Sequence, residues 1–199
     1  MISGKNVIRK ASVDDLEEMF KLYTLYMFDS YIAEVSPALL KTWLQQLVES
    51  TNCVVLCSAK SKVMGFIVAT LNSKKLYREL IFNKHRLGFL KEPINYLRMV
   101  EFLIYPFKIY LTNTFAEMVF IVVDPEYRNR SIAKKLIFGV LKEMSNKNIK
   151  KVKVTTVVSN AAVNNLLNSM MFKKERRFKF LGKDMFLYSY DIANLNYLY

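Results

Sequence analysis

The sequence is poor in cysteine, histidine, glycine and proline, with 2 Cys, 1 His, 5 Gly and 4 Pro among 199 residues. Cys53 and Cys57 would lie about 13 Å apart on a strand, too far for a disulfide. A disulfide-stabilised scaffold is therefore excluded, and we expect two reduced, buried thiols in a reducing compartment. A single histidine, His85, excludes a multi-histidine metal site, and we expect it to have a surface or packing role.

Long apolar runs without charge are also missing. The most membrane-like stretch, residues 99–123, is interrupted by Glu101, Lys108 and Glu117, which a bilayer span rarely tolerates. The first residues lead into no apolar run, so we expect no signal peptide and a cytoplasmic protein. Disorder is excluded as well, because 52% of the residues are hydrophobic and 14% are aromatic. That composition is enough for one domain over residues 1–199 with a sizeable core.

Positive charge is abundant. Lys and Arg number 30 against 17 Asp and Glu, which gives a formal net charge of +13. This charge suits nucleic acid, anionic lipid or a phosphorylated ligand. No nucleic-acid-binding motif accompanies it, so we expect no specific nucleic-acid partner.

Hydrophobic periodicity and turn residues predict the element order βααββ, a helical insertion at about residues 73–112, and then βαβαββ. This order indicates a mixed α/β sheet with helices on both faces. The insertion is basic and rich in large apolar side chains. Trp43 is predicted to lie in the core. The alternation of the basic run 173–179 predicts a solvated strand face with Phe178 and Phe180 turned inward.

The most informative stretch is residues 115–136, which reads as an apolar strand, a tight turn and the start of a basic helix. The first amides of a helix lack intrahelical partners, and the helix dipole adds positive potential there. Arg128 and Arg130 would place charge-assisted donors just upstream. Together these features suit a pyrophosphate, although a solvated basic helix end is the alternative.

Residues 123–133, Val-Asp-Pro-Glu-Tyr-Arg-Asn-Arg-Ser-Ile-Ala, resemble the acetyl-CoA-binding motif of the GNAT acetyltransferases. The family pattern is Arg or Gln, two residues, Gly, one residue, then Gly or Ala, and it maps onto residues 128–133. Residues 159–163 are similar to the start of the second cofactor-contacting helix of the family. The resemblance implies a mixed, mostly antiparallel sheet flanked by helices, acetyl-CoA as co-substrate, and no metal. The cofactor-binding residues that it implies are Ile121, Val122, Val123, Arg128, Asn129, Arg130, Ser131, Ile132, Ala133, Lys134 and Asn160.

Three positions depart from the family pattern. Ser131 stands where the family usually has Gly, which places a Cβ where the backbone approaches the pyrophosphate. Leu167 replaces a Tyr that in many members protonates the leaving thiolate, so another group or water would supply that proton, or catalysis would be weaker. Met171 replaces a common Gly before Phe172, for which we expect only a changed helix end.

The resemblance also implies direct attack of an amine on the thioester of acetyl-CoA. A lysine-like amine has a pKa near 10.4 and must first lose a proton. Glu117 is the candidate base, since residues 115–120 resemble the strand that carries a glutamate base in the histone-acetyltransferase branch. The alternative is a structural glutamate, solvated or paired with a lysine. In the family, the backbone corresponding to residues 121–123 binds pantetheine and stabilises the oxyanion.

We therefore expect an N-acetyltransferase that moves an acetyl group from acetyl-CoA to a primary amine of a small molecule or protein. The acceptor and the oligomeric state remain open at this point. One alternative is transfer of a longer acyl chain from CoA or an acyl carrier protein, because the insertion is apolar and basic. Another is a non-catalytic CoA-binding or membrane-surface module, with the insertion contacting an anionic membrane.

Overall fold

The computed structural model describes residues 7–27, 37–82, 104–105, 107–110 and 114–197. His85 and a large part of the predicted insertion lie outside these ranges. The described residues form β1 Val7–Lys10, α1 Leu16–Tyr26, α2 Pro37–Glu49, β2 Cys53–Ala59, β3 Val63–Thr70, α3 Ser73–Phe82, β4 Ala116–Val123, α4 Ile132–Asn146, β5 Lys151–Val157, α5 Ala161–Ser169, β6 Lys173–Phe180 and β7 Lys183–Asp191. Short 3-10 helices cover Val13–Asp15, Pro125–Tyr127 and Ile192–Tyr197.

These elements confirm the predicted mixed α/β fold, a seven-stranded, mostly antiparallel sheet flanked by helices. The described residues fall into two compact units. One comprises the chain up to Ala69 with Met118–Asn148, and its strands follow the order β1-β2-β3-β4. The other comprises Thr70–Glu117 and the chain from Ile149, with the order β5-β7-β6. A single domain over residues 1–199 stays a prediction.

The first unit is built around aromatic rings. Phe120 on β4 lies with its ring centroid 5.1 Å from Tyr23 of α1, 5.5 Å from Trp43 of α2 and 5.8 Å from Phe66 of β3. Trp43 is buried, which confirms its predicted place in the core. Tyr23 and Phe66 meet Phe120 edge-to-face, and such pairs add to the hydrophobic gain of burying large rings.

The close approach of β3 to β4 depends on Gly65. A Cβ at this residue would lie 2.8 Å from the carbonyl oxygen of Val122 and 3.1 Å from Cα of Val123, both backbone atoms that cannot swing aside. The amide of Asp124 donates to the carbonyl of Met64 at 3.0 Å. The absence of a side chain at Gly65 therefore lets β3 hold the end of β4 in place.

The second unit has β7 at its centre, paired antiparallel with both β5 and β6. Its core includes Tyr77, Tyr105, Ile109 and Leu187, with Phe178 and Phe180 packed against them. The inward orientation predicted for the two phenylalanines of β6 is thus confirmed. Described parts of the predicted insertion contribute to this core, since Tyr77 lies on α3 and Tyr105 and Ile109 follow it in the chain.

Helix α5 ends at a residue with left-handed backbone. Met171 has φ +60°, its amide donates to the carbonyl of Asn168, and the amide of Phe172 donates to the carbonyl of Leu167, both at 3.0 Å. These two bonds define a Schellman motif, in which Gly is the usual residue at the left-handed position. The expected change at the helix end is therefore a strained backbone, because Met carries the Cβ that Gly lacks.

Two further observations complete the fold. Cys57 is buried, but Cys53, at the first position of β2, is only partly buried, so the expectation of two buried thiols is wrong for Cys53. Among the helices of the described ranges, none is long and apolar enough to cross a membrane.

Candidate functional site

The turn after β4 is held by its own first residue and by a lysine of the β2–β3 turn. The Asp124 carboxylate accepts a hydrogen bond from the amide of Glu126 at 3.0 Å, which caps the short helix Pro125–Tyr127. The ammonium group of Lys62 lies 3.8 Å from a Glu126 oxygen and 5.1 Å from the centre of the Tyr127 ring. The turn therefore has a defined shape independent of any ligand.

The predicted phosphate-binding residues follow this turn and are exposed. Arg128, Asn129, Arg130 and Ser131 all face solvent. The guanidinium of Arg130 stacks over the Tyr127 ring at 5.2 Å, whereas Nε of Arg128 lies 3.4 Å from the carbonyl oxygen of Val123. Two arginines are thus brought to the start of α4, where the helix geometry leaves amides without intrahelical acceptors.

The backbone of this segment is left-handed at two positions that lack glycine. Asn129 has φ +61°, and Ser131, the N-cap of α4, has φ +58° and ψ +19°. The family preference for Gly at the Ser131 position therefore has a second reason beyond space for a pyrophosphate, since a left-handed residue with a Cβ is strained. Asn tolerates this conformation better than most residues.

The remaining predicted cofactor-binding residues differ in whether their side chains are accessible to a ligand. The side chains of Val122 and Ile132 are buried, so these residues can contact a ligand through their backbone alone. Lys134 is exposed, and Ile121, Val123 and Ala133 are partly buried.

Asn160 belongs to the second unit and has a structural task there. Its side-chain oxygen accepts from the amide of Val163 at 3.2 Å, so it is the N-cap of α5. Asn164, one turn later, donates from its amide nitrogen to the carbonyls of Asn160 and Val157, which ties the helix to the end of β5. Leu167, on the same helix, is 1% exposed. Its position is therefore an interior one.

Glu117 is a buried carboxylate near the start of β4, with 1% of its surface exposed. Its Oε1 accepts hydrogen bonds from the hydroxyls of Tyr77 at 3.0 Å and Tyr105 at 3.3 Å. Oε2 is buried, and no residue in the described ranges is its hydrogen-bond partner. Burial raises the pKa of Glu117 to about 7, against the opposing effects of Lys153 and of the neighbouring hydroxyls. The carboxyl group therefore changes protonation state near neutral pH.

Lys153 on β5 is a second buried ionisable group in this unit, 3% exposed. Burial lowers the pKa of its ammonium group, the charge of Glu117 raises it, and Lys74 and Arg176 lower it further. Its Nζ lies 3.4 Å from the carbonyl oxygen of Thr114. A carboxyl and an amine buried in one unit, each shifted towards its neutral form, is the kind of arrangement that concentrates at functional sites.

Sequence reasoning selected Glu117 but missed the residues around it. Tyr77 and Tyr105 appeared only as large apolar groups of the insertion, and Thr155 as one position of a strand. The hydroxyl of Tyr105 lies 2.7 Å from Oγ1 of Thr155. For Lys153 the sequence gives no signal of burial, because its alternation with Val152 and Val154 is typical of a solvated strand face.

The two sets of residues support two kinds of chemistry. Exposed arginines at a helix start can hold an anionic group such as a phosphate. A buried carboxyl with a pKa near neutrality can take up and release a proton. No group of three or more His, Cys, Asp or Glu side chains in the described part of the chain could hold a metal ion.

Solved structures of similar fold include N-acetyltransferases. One from Staphylococcus aureus gives a TM-score of 0.65 at 17% identity, covering 95% of this chain and 99% of that one. The PaiA N-acetyltransferase of Thermoplasma acidophilum, solved in complex with coenzyme A, gives 0.59 at 17%, covering 94% and 100%. NAA60 of Arabidopsis thaliana, solved with a bisubstrate analogue, gives 0.61 at 19%, covering 93% and 97%. At such identity the likeness shows the fold alone.

The family of the protein is shown by comparison of its amino-acid sequence with known families. No curated protein sequence matches the chain. Residues 16–171 match the acetyltransferase (GNAT) family, a span that includes the strand of Glu117, the turn with its two arginines, and α5. Because this match covers more than half of the chain, the protein belongs to the GNAT family of acetyltransferases.

Proposed function

We propose that this protein transfers an acetyl group from acetyl-CoA to a primary amine, with Glu117 as the general base. The observation that carries the proposal is the buried Glu117 carboxyl, whose pKa of about 7 suits proton transfer at neutral pH. The ammonium form of the amine first loses a proton to Glu117, and the neutral nitrogen then attacks the thioester carbon. The carbon–sulfur bond breaks, the nitrogen gives up a second proton, and the CoA thiolate takes up a proton in its place.

The base has a definite task in this reaction. An alkyl ammonium with a pKa near 10.4 is almost wholly protonated at pH 7 and cannot attack. A carboxylate with its ordinary pKa is a weak base, whereas one whose pKa is raised by burial accepts the proton more readily. The hydroxyls of Tyr77 and Tyr105 stabilise the ionised form enough to keep a useful fraction of it at neutral pH.

We assign acetyl-CoA to the end of β4 and the segment that follows it. Arg128 and Arg130 would bind the pyrophosphate together with the amides of residues 132–134 in the first turn of α4. The backbone of residues 121–123 would bind pantetheine and donate to the thioester oxygen. Leu167 has no proton to give and is buried, so water or another side chain must protonate the thiolate.

Direct binding and turnover test the proposal. Calorimetry with acetyl-CoA, and with a longer acyl-CoA for comparison, measures cofactor choice. Turnover is then measured with an amino sugar, a polyamine, a small primary amine and a lysine-containing peptide. Acetyl-CoA binding followed by acetylation of at least one amine is the expected result. Binding of CoA without turnover of any amine would favour a non-catalytic CoA-binding module instead.

An anionic membrane surface is a second proposed partner, favoured by an aromatic patch in the second unit. Phe107 is 79% exposed, and Tyr110 and Phe115 are also exposed. The ammonium group of Lys74 lies 4.9 Å from the Phe115 ring and 5.8 Å from the Tyr110 ring. Exposed aromatic side chains beside lysine suit the boundary between anionic headgroups and acyl chains.

A further inference from the structure

The burial of Glu117 separates the proposed base from any substrate. Only 1% of its surface is exposed, Oε1 lies within hydrogen-bond distance of the hydroxyls of Tyr77 and Tyr105, and Oε2 is buried. An amine in solvent contact cannot touch either oxygen in this arrangement. A proton leaving the amine therefore needs a path through other polar atoms.

Tyr105 and Thr155 form such a path. The hydroxyl of Tyr105 lies 3.3 Å from Oε1 of Glu117 and 2.7 Å from Oγ1 of Thr155. Thr155 is in the middle of β5 and is partly exposed. The chain of three atoms thus begins at a buried carboxylate and ends at a side chain that solvent reaches.

The Tyr105 hydroxyl is held in place by packing. Its ring meets Phe180 with centroids 4.5 Å apart and meets Tyr77 edge-on at 5.2 Å. Tyr105 is itself 6% exposed. A ring enclosed in this way keeps its hydroxyl between its two partners, which short proton transfers require.

We propose that Thr155 and Tyr105 relay the proton of the acceptor amine to Glu117, and that the amine binds against Thr155. This inference rests on the proposed acetyl transfer. The amine N–H bond breaks as its proton forms a bond with Oγ1 of Thr155. The proton of Thr155 moves to the Tyr105 oxygen, and that of Tyr105 moves to Oε1 of Glu117. Both hydroxyls remain neutral and the carboxylate becomes a carboxylic acid.

The protonation states agree with this direction. Burial and the charge of Glu117 raise the pKa of Tyr105 well above its ordinary value, so its hydroxyl remains a donor to the carboxylate. Tyr77 also donates to Oε1, but Tyr105 is the hydroxyl with a described bond onward to a partly exposed side chain. Lys153 on β5 and Ser73 and Tyr77 on α3 are the other groups that act on the pKa of Glu117.

The test compares variants in single turnover, with acetyl-CoA bound and the amine of the panel that wild type acetylates fastest. Thr155→Val and Tyr105→Phe interrupt the relay, and Thr155→Ser restores its hydroxyl. Thr156→Val is the matched control, because it makes the same change one residue along β5, on the opposite face of the sheet. Tyr77→Phe removes an equivalent hydrogen bond to Oε1 without interrupting the relay. Circular dichroism and acetyl-CoA calorimetry verify that each variant folds and binds.

Thr155→Val and Tyr105→Phe are each expected to slow acetylation at pH 7 by about 10²-fold. The double variant should be no slower than either single variant, because both substitutions interrupt the same relay. The loss should shrink at high pH, where the amine is already neutral. Thr155→Ser should keep most of the rate. The wild-type rate is also measured in mixtures of H₂O and D₂O. A plot of this rate against the D₂O fraction should be curved, because several protons move together, and the plot for Tyr77→Phe should be curved as well.

Two results contradict the relay and are distinguishable. If Thr155→Val matches Thr156→Val in rate and pH profile while Glu117→Gln is slow, then Glu117 takes the proton by another route and the relay alone is wrong. If wild type acetylates no amine of the panel, the proposed function fails and the relay fails with it.

Discussion

The hydroxyl of Tyr77 lies 3.0 Å from Oε1 of Glu117, yet the buried Oε2 of the same carboxylate has no hydrogen-bond partner among the described residues. A buried carboxylate usually has both oxygens satisfied, because an unpaired one costs about 1–3 kcal/mol or more when charged. Glu117 is therefore held in place by one oxygen while its charged form stays unfavourable. This is a physical basis for a base with a raised pKa.

We expect Glu117→Gln to lower kcat by 10²–10⁴-fold near neutral pH, as is typical when a general base is lost. Gln keeps the size of the side chain but accepts no proton. At high pH, where the free amine is already deprotonated, much of the difference should disappear, and acetyl-CoA affinity should be unchanged. The measurement is kcat as a function of pH for both proteins. Calorimetry with acetyl-CoA verifies that the variant folds and binds the cofactor. Wild-type kcat at pH 7 would show that Glu117 is structural.

The pKa of Glu117 also predicts how stability depends on pH. Since the folded pKa is raised to about 7 above the ordinary value, the folded state binds more protons than the unfolded state in the window between the two. The contribution of Glu117 to stability therefore falls as pH rises from about 4.5 to about 7. Glu117→Gln lacks this titration.

Urea denaturation of both proteins across that window is the measurement. The free energy of unfolding of Glu117→Gln minus that of wild type should grow as pH rises and should level off above pH 7. Taking the difference cancels the other groups that titrate in both proteins. A constant difference across the window would mean that the pKa of Glu117 is not raised in the folded state.

Replacement of both Arg128 and Arg130 by Ala is expected to weaken CoA binding. Loss of a charge-assisted contact to phosphate typically costs about 1.5–3 kcal/mol, or roughly ten- to a hundredfold in affinity. Because the lost contacts are electrostatic, the remaining affinity should depend less on salt. Lys142→Ala with Lys147→Ala removes the same charge at the other end of α4 and is the control. Equal calorimetric affinity in the two double variants would disprove the phosphate assignment.

Met171→Gly is expected to stabilise the protein by about 1 kcal/mol. The left-handed φ of +60° destabilises the folded state of an L-residue by roughly 1–2 kcal/mol, and Gly removes this strain. Gly also increases the conformational entropy of the unfolded chain, which offsets part of the stabilisation. Ser169→Gly, inside the last turn of α5, should instead destabilise by a few tenths of a kcal/mol. Chemical denaturation measures both. Destabilisation by Met171→Gly would mean that its side chain contributes more by packing than its backbone costs.

The aromatic patch around Phe107 is tested by sedimentation with liposomes. Phe107→Asp should lower binding to vesicles that contain an anionic lipid, since it removes an apolar contact and adds a repelled charge. Leu25→Asp, at an exposed apolar residue of the first unit, is the control and should bind like wild type. Wild type and both variants should bind weakly to neutral phosphatidylcholine vesicles. Equal binding of both variants to anionic vesicles would exclude the patch as the contact.

The turn after β4 could be predicted because all its determinants are contiguous. The apolar strand, the Asp-Pro-Glu-Tyr turn and the arginines lie within about twenty residues, and each acts through local backbone geometry. Even so, the left-handed φ of Ser131 and Asn129 was not predicted. Both residues are compatible with several backbone conformations, and packing of the turn selects one.

By itself, the sequence determined the family, the order of the elements and the turn after β4, and it indicated Glu117 as a candidate base, because local pattern and short-range motifs carry that information. Only the tertiary structure decided what surrounds Glu117. Tyr77 is 40 residues from it, and Thr155 is 50 residues from the Tyr105 that it contacts. Periodicity tells which faces are buried, but not which buried hydroxyl meets which carboxylate. That pairing, and with it the raised pKa, follows from how α3, Tyr105, Glu117 and β5 pack within the second unit.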